Sequence, residues 1–190
     1  ISESINDSFS IARLLNNIGG IYYQQKEFGK ALEYYQRCLL INKHTNDVAG
    51  MAYALNNVGN LYFQTKETAK ALEHFEKSLK LRESLGDKRG IAECLNNIGQ
   101  VYFAQNNEQQ ALDHYTKSLK IQQEIDDKTG MSFTYNNMAE IYMKRKNYNK
   151  AIECGSISIK ICKELGFPEN IKFAAYQLSE VYKAKGDHKN

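Results

Sequence analysis

One eight-residue block recurs at a fixed step, and that step constrains the chain more than any other feature. The copies are Leu15-Asn16-Asn17-Ile18-Gly19-Gly20-Ile21-Tyr22, Leu55-Asn56-Asn57-Val58-Gly59-Asn60-Leu61-Tyr62, Leu95-Asn96-Asn97-Ile98-Gly99-Gln100-Val101-Tyr102 and Tyr135-Asn136-Asn137-Met138-Ala139-Glu140-Ile141-Tyr142, each 40 residues after the last. A faded fifth copy, Tyr176-Gln177-Leu178-Ser179-Glu180-Val181-Tyr182, keeps the same step. A period of this length is the mark of an array in which each unit buries its apolar face only against its neighbours.

Within each period the apolar residues fall at three-and-four spacing. Ile11, Leu14, Leu15, Ile18, Ile21 and Tyr22 define a helix over about Phe9 to Gln25, after a polar, irregular start at Ile1 to Ser8. Ala31, Leu32, Tyr35, Leu39 and Ile41 define a second over about Phe28 to Lys43. The later periods predict helices over about 48–65 and 68–84, then a third unit ending near Ile125, a fourth from Lys128 to Leu165, and a last helix over about 169–185. Only one proline is present, Pro168, which suits the first turn of that last helix. Gly86 reads as a C-terminal cap. Asp47, Asp87 and Asp127 read as N-caps, each followed three residues later by Gly50, Gly90 or Gly130.

Small residues recur where helices must approach: Gly19, Gly59, Gly99 and Ala139 on the first helix of each pair, and Ala31, Ala71, Ala111 and Ala151 on the second. A glycine inside a helix costs roughly 1 kcal/mol relative to alanine, so glycines at one register imply a close crossing. The tyrosines Tyr22, Tyr62, Tyr102, Tyr142 and Tyr182, with Tyr35, Phe75 and Tyr115, read as core rather than as a stacking platform. The fourth unit is irregular, since Gly155 stands where the others carry Tyr35, Phe75 or Tyr115.

These residues resemble the tetratricopeptide repeat. In the second unit its pattern is carried by Leu55, Val58-Gly59, Tyr62, Ala71, Phe75 and Ser78. The longer period, with Gly86-Asp87-Lys88-Arg89-Gly90 between repeats, is similar to LGN/Pins adaptors, kinesin light chains and bacterial repeat regulators. The resemblance implies an all-α, right-handed α-solenoid of antiparallel helix pairs. Its four units would span about 8–47, 48–87, 88–127 and 128–167, with an unpaired helix at about 168–185, in one array over 1–190. It also implies a protein- or peptide-binding scaffold whose first helices line a concave groove, and no catalysis in the repeats.

On the first helix of each pair, a polar stripe runs beside the apolar one. Asn17, Asn57, Asn97 and Asn137 form one row, with Asn16, Asn56, Asn96 and Asn136 alongside or deeper, and Tyr53, Asn60 and Gln100 next to them. An amide both donates and accepts, so a row of amides suits the backbone of an extended peptide. The same amides could instead bond helix to helix, and one row could do each. Arg13, Tyr53, Glu93 and Phe133 vary within this constant frame, as a specificity register would.

The balance of 25 basic and 22 acidic residues, a formal +3, argues against a nucleic-acid or membrane-surface partner. No phosphate loop, nucleophile elbow or paired acid–base motif supports an enzyme. The four cysteines, Cys38, Cys94, Cys154 and Cys162, read as small packing residues, with no metal or cofactor implied. His74 and His114 read as surface residues of the second helices. Free thiols and the lack of an apolar span lean toward a cytoplasmic protein. The chain starts without Met and stops where earlier repeats enter their second helix, so it reads as a piece of a longer protein. The alternative roles are regulation of an attached signalling or DNA-binding domain, and self-assembly through the groove or the terminal helix.

Overall fold

The computed structural model describes residues 2–166 and 168–186. Among them the chain is all-α: α1 (Ser2–Gln24), α2 (Phe28–His44), α3 (Val48–Gln64), α4 (Thr68–Leu85), α5 (Lys88–Ala104), α6 (Glu108–Glu124), α7 (Lys128–Lys144), α8 (Tyr148–Leu165) and α9 (Pro168–Lys185). The expected helices are present with boundaries to within a residue or two, save at the start. There α1 begins at Ser2 rather than near Phe9. The opening residues contain no Gly or Pro, so nothing in them interrupts the helix. Phe167 and the residues after Gly186 lie outside the described residues.

Packing divides the chain into two compact units, Ile1–Val101 and Tyr102–Asn190. In the first, α1 packs on α2, α2 on α3 and α3 on α4; in the second, α6 packs on α7, α7 on α8 and α8 on α9. This is the helix-pair architecture of an α-solenoid.

Each pair is closed by a turn that one residue in the left-handed conformation makes possible. Lys66, with φ of 64°, lets Glu67 N–H reach back to Tyr62 O at 2.8 Å, while Lys66 N–H itself bonds Phe63 O at 3.1 Å. Lys26, Asn106 and Lys146 hold the same register. Between pairs, Gly86 does this work with φ of 67°, and Asp87 N–H bonds Arg82 O at 3.0 Å. The three aspartate caps are present: Gly50, Gly90 and Gly130 N–H donate to Oδ1 of Asp47, Asp87 and Asp127 at 2.9, 3.0 and 3.1 Å.

The crossing of α3 on α4 explains its glycine. A Cβ on Gly59 would lie 2.6 Å from Cε1 of the buried Phe75 ring, and one on Gly19 equally close to Tyr35. Burying an aromatic side chain of this size contributes about 1.5–3 kcal/mol, and the ring fits only because the opposing backbone is bare. The second tyrosine set lies less deep than expected. Tyr22, Tyr62, Tyr102 and Tyr142 are half-buried. Tyr62 meets His74 at 5.2 Å between centroids, and Lys70 Nζ lies 5.1 Å from the centre of the same ring.

Candidate functional site

Helices α1, α3 and α5 place the two asparagine rows in different roles within the first unit. Asn57 Nδ2 donates to Asn16 Oδ1 at 2.8 Å, and Asn97 Nδ2 to Asn56 Oδ1 at 3.0 Å. The interlock runs from one row of a helix to the other row of the helix before it. Asn56 and Asn96 are buried and Asn16 is half-buried, whereas Asn57 and Asn97 are half-buried and Asn17 is exposed. Asn56 is fully engaged: its Nδ2 also donates to Glu93 Oε1 at 2.9 Å, and the Cys94 thiol lies 3.8 Å from its Oδ1. Asn57 and Asn97 each use one N–H in the interlock, and their carbonyl oxygens accept nothing among the described residues. Nor does the Asn17 amide bond to any of them. Beside these lie Tyr53, 54 % exposed, the exposed Arg13 and Glu93, and the half-buried Asn60 and Gln100. In the second unit Asn136 and Asn137 are half-buried, Phe133 is exposed, and Asn136 Oδ1 is buried without a partner among the described residues.

A cleft of about 580 Å³ opens in the first unit between α1, α2 and α3. Its lining includes Phe9, Arg13, Asn16, Asn17, Asn42, Asp47 and Tyr53, with Cys38 and Gly50. It therefore joins the amide rows to a register on the second helices that sequence reasoning missed: Asn42, Arg82, Gln122 and Cys162, all buried. This register decides how the space beneath each repeat is filled. Arg82 Nη1 donates to Asp87 Oδ2 at 3.0 Å, its Nε approaches Ser78 Oγ at 3.4 Å, and its Nη2 lies 3.4 Å from Glu93 Oε2. Gln122 Oε1 accepts from the buried Thr134 hydroxyl at 2.9 Å. Asn42 is too short to do either and donates only to Cys38 Sγ at 3.4 Å. A signal was present in the sequence: Gly50, Gly90 and Gly130 recur because a Cβ there would strike Asn42, Arg82 or Gln122.

Models of the tetratricopeptide repeat match residues 10–84, 50–124 and 134–154. The chain belongs to the tetratricopeptide repeat family. No curated protein matches its sequence. Among solved structures the repeats are similar to BtubC from P. vanneervenii, with TM-score 0.78 and 20% identity over 97% of this chain and 83% of that one. They are similar also to aspartyl phosphate phosphatase F from Bacillus subtilis, with TM-score 0.84 and 16% identity over 94% of this chain but 48% of the phosphatase. A third is a signal-transduction ATPase with a tetratricopeptide repeat sensor from Pyrococcus horikoshii, with TM-score 0.79 and 19% identity over 92% of this chain and 27% of that one. At these identities the likeness is one of fold.

Other chemistry-bearing residues of the repeats are held in packing roles. Burial pushes the Cys94 and Cys154 thiols up to about 11, and raises that of Cys38. The His74 and His114 rings lie against Tyr62 and Tyr102, with Nδ1 bonded to the carbonyls of Lys70 and Gln110 at 2.8 and 2.9 Å. Among the described residues no group of three His, Cys, Asp or Glu side chains could hold a metal ion, and no helix is long and apolar enough to cross a membrane.

Proposed function

We propose that the repeats form a protein-interaction scaffold whose first unit holds an extended polypeptide segment along the faces of α1, α3 and α5. One observation carries this reading. The deeper asparagines, Asn56 and Asn96, are buried, and Asn56 bonds to α5, while among the described residues the carbonyl oxygens of Asn57 and Asn97 and the whole amide of Asn17 have no hydrogen-bond partner. Rows fixed on one side and open on the other give a rigid line of amide partners, suited to a backbone whatever its side chains. The varying register Arg13, Tyr53 and Glu93 stands next to that line and would read the side chains. Membership of a family built of binding repeats supports the same reading.

Affinity capture from cell extract with the wild-type chain and with a Tyr53→Ala/Asn17→Ala variant tests it. Both replaced side chains are exposed, so the variant should melt as the wild type does and lose the partner. A folded variant that retains every captured protein would rule this face out as the binding surface.

Self-association is the second reading, favoured by a stripe on α1. Ile11, Leu14 and Ile21 are 48, 59 and 54 % exposed. Their counterparts on α3 are the half-buried Met51 and the buried Ala54 and Leu61, on a helix that packs against α2. The stripe thus has the composition of a helix-packing face. A mass that rises with concentration, and falls to the monomer in Leu14→Glu, would establish it.

A further inference from the structure

We propose that the cleft between α1, α2 and α3 is a binding site for an arginine side chain supplied by a partner polypeptide. The proposal rests on the peptide-binding reading above and names what one position of that peptide would be. The chain carries its own precedent one repeat later. There Asp87 uses Oδ1 to cap α5 and Oδ2 to hold the guanidinium of Arg82. Asp47 is the same residue 40 positions earlier. Its Oδ1 caps α3 through Gly50 N–H at 2.9 Å, but its Oδ2 accepts no hydrogen bond among the described residues, because Asn42 stands in place of Arg82. Five residues of the lining stand one period before residues grouped around Arg82: Cys38 for Ser78, Asp47 for Asp87, Gly50 for Gly90, Asn16 for Asn56 and Tyr53 for Glu93. Without the internal guanidinium, a carboxylate oxygen is left at the edge of a cleft of about 580 Å³.

The one change of character in that lining favours guanidinium over ammonium. Tyr53 replaces Glu93 and is 54 % exposed, and Phe9 lines the same cleft. A planar guanidinium can stack on an aromatic face while donating in its plane to a carboxylate, which a lysine cannot do. Arg13 is the other charged residue of the lining. It is exposed and stands on α1, one period before Tyr53, whereas the counterpart of Arg82 is Asn42 on α2.

Two measurements decide the matter. Asp47→Asn removes the charge but keeps the cap, since asparagine caps as well as aspartate. Asn42→Arg supplies the missing side chain from within. In thermal denaturation, Asn42→Arg should raise the melting temperature when Asp47 is present and not in the Asp47→Asn background. In binding, the protein is applied to arrays of random decapeptides with a fixed central Arg, Lys, citrulline or Glu. Arginine peptides should be retained best, and both variants should weaken them by about tenfold, the effect of one charge-assisted hydrogen bond. Peptides retained without arginine preference, or equally by Asp47→Asn, would overturn the arginine site and leave the scaffold reading standing. Preference for central Glu, lost in Arg13→Gln, would overturn it in favour of a carboxylate ligand. Retention of no peptide at all would overturn both. Should Asn42→Arg fail to fold, Asp47→Asn alone separates these outcomes.

Discussion

Gly59 and Phe75 illustrate how single atoms set the repeat. An added methyl would sit 2.6 Å from the ring, so Gly59→Ala should destabilise by about 1–3 kcal/mol, the usual cost of overpacking. Chemical denaturation checks the value, and Phe75→Leu in the same chain should recover part of the loss. The buried thiols give a second outcome at this scale. Cys94 and Cys154 ionise in the folded chain only at about 11, far above an unfolded thiol at about 8.5. The folded state therefore binds more protons than the unfolded one across that interval, and stability should fall as pH rises from about 8.5 to 11. Below it the two states bind alike and these groups contribute no slope. Alkylation by iodoacetamide at about pH 8 should accordingly follow unfolding rather than the native state.

Turns dominate at the scale of the element. The left-handed position is held by Gly86 and Gly166 between some pairs, but by Lys26, Lys66 and Lys146 within pairs. A side chain there costs roughly 1–2 kcal/mol, offset in part by the greater freedom that glycine loses on folding. Lys66→Gly should thus stabilise by about 0.5 kcal/mol, measurable as a shift in denaturation midpoint. These turns mark a boundary of what the sequence could tell. Helices α2 to α9 were legible because their apolar spacing and aspartate caps act locally. Gly86 was legible because glycine advertises its conformation. Lys66 was not, since lysine has no preference for that region and is forced there by the packing of α3 on α4. The two asparagine rows were legible as rows, but not which of them lies deeper. Asn16 and Asn17 differ in environment by the tilt of a helix, which only tertiary contacts determine. Arg82 and Asn42 were missed altogether, because a polar residue in a helix reads as surface until the neighbouring glycine is seen to make room for it.

Across the whole molecule, repeat identity and repeat quality separate. At the register of Phe75 the second helix of the α7–α8 pair carries no ring: Gly155 is buried, and the nearest side chain to its missing Cβ is Leu178 of α9, at 3.2 Å. A pair whose filling depends on a later helix should open more readily than α3 and α4, which hold Phe75 between them. Hydrogen exchange should show faster amides in α7 and α8 than in α3 and α4, and equal protection would contradict this.

The asparagine interlock has a last consequence, for how such a chain can change length. Each link uses the same plug and the same socket, so removing one period leaves neither unmatched. Excising Val48 to Asp87 would bring the plug of Asn97 to the socket of Asn16 and let Asp47 start the helix at Lys88. The shortened chain should still melt as a folded protein, with a smaller unfolding enthalpy. Gene duplication and deletion in steps of one period would then be edits the structure tolerates, and a lineage could adjust its reach without inventing a new joint.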